Sequence, residues 1–235
     1  VLYDVIQKAL NMHVYCFVLF FLVLDSFSPY KEFLCTYTRD PVIIDAELNE
    51  WKDASSIQIA DEMGKSDNTV LNYSLWDDEH LYFAFDVMDA DLQGEQTEQD
   101  HARLYLDDMV EFLIDPQNDK DSCWATDDII YHINILGQKK HDRGTTECLT
   151  NPAWNGEAKY STRVNGSMND PRDADKGYVV EIKIPWREMK IKPFAGQLIG
   201  VNFGNGDNGR LFDWVDASPF RSPYAFGNLI LSGKR

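Results

Sequence analysis

The sequence predicts an all-β fold: a two-sheet antiparallel β-sandwich, jelly-roll or immunoglobulin-like, of about eleven strands. Three observations carry this expectation. Short apolar or alternating runs recur from about residue 40 to the C-terminus, and clusters of Gly, Asn and Asp separate them. No long stretch repeats its apolar residues at the helical period, which argues against a bundle or an α/β fold. The 235 residues are 44% apolar and 13% aromatic, enough for one large core.

The elements follow in order. Residues 42–44 and 57–59 are short β candidates. Residues 69–76 alternate, with Leu71, Tyr73 and Leu75 on one side and Val70, Asn72, Ser74 and Trp76 on the other. Residues 81–87 come after Asp77-Asp78-Glu79-His80, a connection short enough for a hairpin. Residues 110–114, 129–136, 160–164, 178–184, 198–203, 211–215 and 227–231 complete the series. Turns are marked by Asn165-Gly166, Asp175-Lys176-Gly177 and Asn205-Gly206-Asp207-Asn208-Gly209. Pro185-Trp186-Arg187-Glu188-Met189 reads as one helical turn begun by proline. No repeat or linker divides residues 40–235, which are expected to form the sandwich after an extension at 29–39.

The N-terminus differs. Residues 14–24 are an uninterrupted apolar run, shorter than the roughly 20 residues a membrane-spanning helix needs. The run suits the core of a secretory signal over residues 1–28, with Met12 as its start and Ser26-Phe27-Ser28 as its cleavage site. A membrane anchor or a buried hydrophobic arm are the alternatives. Export to the extracellular space, the periplasm or the cell surface is the expectation.

With 22 basic and 39 acidic residues, the net charge is −17. Such a chain is repelled by nucleic acid, whose binding depends on neutralising phosphates, and by anionic membrane surfaces. Of the four cysteines, Cys16 lies in the signal-like run, and Cys123 and Cys148 are either paired across two loops or free. Cys-x-x-Cys, His-Glu-x-x-His, nucleophile-elbow and phosphate-loop patterns are all missing, so an enzyme is not expected. Paired carboxylates for glycoside hydrolysis exist in number, but 39 acidic residues produce such clusters by chance.

Four phrases occur in order: Ile44-Asp45-Ala46-Glu47-Leu48-Asn49-Glu50-Trp51, Leu75-Trp76-Asp77-Asp78 with Leu81-Tyr82-Phe83-Ala84-Phe85, Asp108-Met109-Val110-Glu111-Phe112-Leu113-Ile114-Asp115-Pro116, and Phe226-Gly227-Asn228-Leu229. The set resembles the family 9 carbohydrate-binding modules, which accompany xylanases and other polysaccharide-degrading systems. The resemblance covers roughly residues 40–232. It is especially close to members in bacterial polysaccharide-utilisation proteins over Val164-Asn165-Gly166-Ser167-Met168-Asn169-Asp170-Pro171 and Val180-Glu181-Ile182. It implies non-catalytic binding of poly- or oligosaccharide ends, alone or beside a glycoside hydrolase. Two stacking tryptophans of the family correspond to Tyr105 and Phe220 here, and its glutamate to Glu111. His132 stands where the family has an arginine donor, so charge there is expected to depend on pH. Asn205 and Asp207 correspond to its amide-bearing strand end. Structural calcium is also implied, with Asp89 and Asp108 as ligands.

Trp51, Trp76, Trp186 and Trp214 fall inside framework phrases and are expected in the core, whereas Trp124 and Trp154 are candidates for a further exposed platform. Two rival readings remain. One is a haem-binding electron-transfer sandwich, with Met88, Met109 or Met168 and His132 or His141 as axial ligands. The other is a structural or adhesive surface protein that has lost its sugar site.

Overall fold

A computed structural model describes residues 28–62, 64, 66–216 and 222–233. The signal-like run and Phe220 therefore lie outside the described residues. Two layers face each other across one core. The first layer holds β2 (Ser55–Ala60), β3 (Thr69–Trp76), β4 (His80–Met88), β9 (Lys159–Asn165) and β10 (Gly177–Pro185), paired in the order β2-β3-β4-β10-β9. The second holds β5 (Met109–Asp115), β6 (Ile129–Asn134), β7 (Lys139–Gly144), β8 (Thr150–Asn151), β11 (Leu198–Asp207), β12 (Arg210–Asp213) and β13 (Gly227–Leu231). Its order is β8-β7-β6-β5-β11-β13, with β12 also on β11. Helix α1 (Trp186–Met189) is the expected proline-started turn after β10.

Strand β1 (Glu32–Tyr37) belongs to both layers. Glu32 to Cys35 pair in parallel with β13, then Thr36 and Tyr37 pair in parallel with β3. This corrects two expectations, the purely antiparallel pairing and the placing of residues 29–39 outside the sandwich. Phe33 and Cys35 alternate into the core, and that burial holds the segment in the fold. Burial also pushes the Cys35 thiol far above its ordinary pKa, which leaves it inert.

Alternation builds the core. From β3, Val70 and Trp76 point inward, while Leu75 points outward into a second cluster with Val42, Trp51, Tyr82 and Ala84. At the centre, Phe83 and Phe203 meet edge to face with centroids 5.0 Å apart, and Phe85 meets Phe112 at 4.9 Å. Trp51, Trp76, Trp186 and Trp214 are all buried, as expected.

Residues 42–44 are not a strand. The segment is fastened by a side chain instead: the buried Glu181 carboxylate of β10 accepts the N–H groups of Asp45 and Ala46, both at 2.8 Å, and the Trp51 indole N–H at 2.7 Å. Ala46 turns the chain here with φ +63°. Arg163 of β9 closes the loop from outside, donating to the Ala46 carbonyl and pairing with Glu47.

Cys123 and Cys148 form a disulfide that ties the β5–β6 connection to the turn before β8. The bridge spans 25 residues of sequence, and closing a loop of that size in the unfolded chain is worth about 3 kcal/mol. A Cys123→Ser/Cys148→Ser protein should lose roughly that much in urea denaturation. An unchanged midpoint would mean that the bridge constrains nothing the fold needs.

Candidate functional site

The outer face of the second layer carries a polar row. In β5, Val110, Phe112 and Ile114 face the core, so Glu111 and Leu113 face outward. Register then fixes the neighbours. Lys140 of β7 lies opposite His132 of β6, His132 opposite Glu111, Glu111 opposite Gly204 of β11, and Gly204 opposite Asp213 of β12. Five consecutive strands thus place Lys140, His132, Glu111, Gly204 and Asp213 side by side, with no side chain at Gly204 and with Glu111 itself only 1% exposed.

The row is electrostatically tight. His132 Nδ1 lies 2.8 Å from Glu111 Oε1. Burial pushes the His132 imidazole down to about 3, helped by the Lys140 ammonium and opposed by Asp142. His132 and Glu111 thus form a buried pair in which burial works against protonation of the imidazole. Burial and then Asp216 push Asp213 up to about 7, against a hydrogen bond from Asn202. Lys140 pairs with Asp142.

Tyr105 is presented by a single 3₁₀ turn, Leu104–Leu106, just before β5. Leu104 is buried and anchors the turn, whereas Tyr105 is 52% exposed. The Asp107 carboxylate accepts the Glu95 and Gln96 N–H groups and the Asn134 amide, which fixes the turn against β6. Tyr105 is thus held outward on a rigid base.

Two expected contacts are corrected. Asn205 points inward with Val201 and Phe203 and is fully buried. Its amide donates to the Met109 carbonyl at 2.9 Å and to the Tyr178 hydroxyl at 2.8 Å, so it bridges the two layers. Period two makes Gly204 the residue facing outward beside Glu111. Asp207 leaves the row as well and joins Asp89 and Asp108, whose carboxylate oxygens lie within 4.8 Å of one another. Asp108 accepts the Gln93 and Asn208 N–H groups, and burial, with Asp89 adding to it, pushes it up to about 8.

Asp213 and Lys140 were not anticipated. The signal for Asp213 was available. Asn208 and Gly209 both have positive φ and form a two-residue hairpin turn, so Asp213 must return opposite Gly204. Neither loop tryptophan forms a free platform. Trp124 packs on Phe226 with centroids 5.8 Å apart, and Trp154 packs on Tyr131 and His141 under the Arg143 guanidinium. His141 and His132, both considered as haem ligands, are committed to Tyr131–Trp154 and Glu111 respectively.

A model of the carbohydrate family 9 binding domain-like family matches residues 44–234. The chain is 29% identical over 180 residues to endo-1,4-beta-xylanase A of Thermoanaerobacterium saccharolyticum, covering 73% of this chain and 14% of that protein. It is 27% identical over 202 residues to exoglucanase XynX of Acetivibrio thermocellus, covering 82% of this chain and 16% of that protein. It therefore spans less than a fifth of the length of these relatives. Its fold is similar to a family 9 carbohydrate-binding module from Caldicellulosiruptor kristjanssonii in complex with cellotriose, with TM-score 0.66, 21% identity and coverage of 87% and 95% of the two chains. A putative carbohydrate-binding protein from Bacteroides uniformis gives TM-score 0.67 at 14% identity, covering 86% of this chain and 100% of that one. The match takes in β2 to β13, and with them the Glu111 row and the Glu181-anchored loop; on that ground the chain belongs to the carbohydrate family 9 binding domain-like family.

Proposed function

We propose that this chain is a non-catalytic module that binds poly- or oligosaccharide ends on the Lys140–His132–Glu111–Gly204–Asp213 row, with Tyr105 as a stacking ring. The observation that carries the reading is the row itself, five adjacent strands presenting polar groups around a position without a side chain. A pyranose needs an aromatic face for its C–H patch and fixed acceptors and donors for its hydroxyls. Tyr105 supplies the face, and the family resemblance nominates Phe220 as a second ring; Glu111 and Asp213 supply acceptors, and Lys140 a donor. The cellotriose and glucose complexes of the structural relatives favour a glucan-type ligand, and the xylanase relatives add xylan. The same relatives favour a glycoside hydrolase as partner.

Export is part of this reading. The disulfide suits an oxidising compartment. Among the described residues, no helix is long and apolar enough to cross a membrane. A structural calcium ion is part of it too, held by Asp89, Asp108 and Asp207, whose all-oxygen donor set suits a hard cation.

Calorimetric titration with cello- and xylo-oligosaccharides tests the site. Glu111→Gln should weaken binding by about 1–3 kcal/mol, because a charged acceptor becomes a neutral amide. Phe220→Trp should strengthen it by about 0.5–1.5 kcal/mol through a larger π-face. Unchanged affinity in both variants would move the sugar site elsewhere.

A further inference from the structure

The outer face of the first layer, across the core from the row, carries a groove of its own. Phe85, Val87, Tyr178 and Val180 face the core, so Asp86 of β4 and Val179 of β10 lie on the outside. Register sets them side by side with Arg163 of β9. Asn165 shares that face two residues on, and its partner on β10 is Gly177, which puts no side chain into the space.

The opposite wall is the loop fastened by Glu181. Its Glu47, Leu48 and Asn49 stand over the strand ends and enclose about 340 Å³ with them. That volume lies within the range of small-ligand pockets. Arg163 braces this wall, donating to the Ala46 carbonyl at 3.0 Å and pairing with Glu47 at 3.0 Å. Lys176 lines the other lip, where its N–H binds the Asn165 carbonyl at 3.0 Å. Six polar side chains thus converge: Glu47, Asn49, Asp86, Arg163, Asn165 and Lys176. Asp86 is half-buried, whereas the other five are exposed. Burial pushes its carboxyl above the usual range against the pull of the Arg163 guanidinium, and no described residue donates a hydrogen bond to it.

Two carboxylates and two cationic groups balance here, in a chain whose net charge is −17. A charged ligand would leave one pair unmatched, whereas hydroxyls both accept from the cations and donate to the carboxylates. Leu48 and Val179 add a small apolar floor for C–H groups. We propose that this groove is a second carbohydrate site, for one or two rings of an uncharged oligosaccharide, on the face opposite to the Glu111 row. The ligand class rests on the reading of that row, but the two sites share no residue. Tyr178 turns its ring to the core, so the groove holds its ligand by hydrogen bonds without a stacking ring. Sites on opposite faces let one copy of the module hold two polymer chains at once.

Amide ¹H–¹⁵N shifts on titration with cellohexaose test this, because they read the two faces separately. Wild type should show saturable shifts at residues 47–49 and 163–179 as well as at Glu111 and Gly204. Asp86→Asn is nearly isosteric and Lys176→Ala sits on an exposed turn, so the double variant should keep the melting temperature. It should weaken binding in the groove about tenfold or more, through the loss of charged hydrogen-bond partners. Groove shifts should persist in Glu111→Gln. Groove shifts without any response in the row would sink the reading of the row and leave this site standing. The proposal is overturned by silence at residues 47–49 and 163–179, or by shifts there indifferent to the double variant. A response to hexagalacturonate and none to cellohexaose would overturn it equally.

Discussion

Glu181→Ala should lower the unfolding free energy by about 3–5 kcal/mol, one of the two largest losses expected from a single substitution in this protein. Burial raises the pKa of Glu181 above its ordinary value, so the fold already bears a desolvation cost at this carboxylate. Deleting it is worse, because the Asp45, Ala46 and Trp51 N–H groups lose their acceptor together. The loop then loses its grip on β10, and Val42 and Trp51 lose their seat on Leu75 and Tyr82. Glu181→Gln should fall between, since one amide oxygen remains but an NH₂ faces donors. Equilibrium urea denaturation of the two variants checks this. A loss below about 1 kcal/mol for alanine would mean that water replaces the carboxylate at once.

Gly177→Ala should be equally damaging for a different reason. Gly177 opens β10 with φ +122°, a backbone region open essentially to glycine alone. A Cβ there would lie 1.7 Å from the Val87 carbonyl oxygen and 2.8 Å from its carbon, both backbone atoms of β4 that have nowhere to move. Relief requires the β4–β10 pairing to part at Tyr178↔Val87. The expected loss is more than about 3 kcal/mol, read as a fall in melting temperature of ten degrees or more. Melting within a few degrees of wild type would show that β10 begins later than Gly177.

The layers were legible wherever local signals carried them. Alternation in residues 69–76 and 81–87, the aspartate-rich connection between them and the proline-started turn after β10 all appear as expected. Strand β1 was not legible, because its partners lie about 40 and 200 residues away and parallel pairing leaves no turn to read. Strand β7, Lys139–Gly144, is polar enough to read as a loop. Pairing with β6 and cover from Tyr131 and Trp154 make it a strand, a case of tertiary context overriding propensity. On the outer face, Glu111 and His132, picked from phrases, lie side by side on β5 and β6, whereas Asn205 was placed on the wrong face by one residue. In a strand, one residue is the difference between solvent and core.

The seam between β1 and β13 also has a mechanical consequence. The two strands run side by side in the same direction, so a chain pulled apart from before Glu32 and after Leu231 drags them past each other lengthwise. The hydrogen bonds of the seam are then loaded in shear and must yield together, rather than opening one after another like a zip. Thr36 and Tyr37 extend the same strand onto β3, so the load spreads into the second layer before anything gives. A chain held at both ends of this seam would, by this arrangement, resist tension along the direction in which it is pulled.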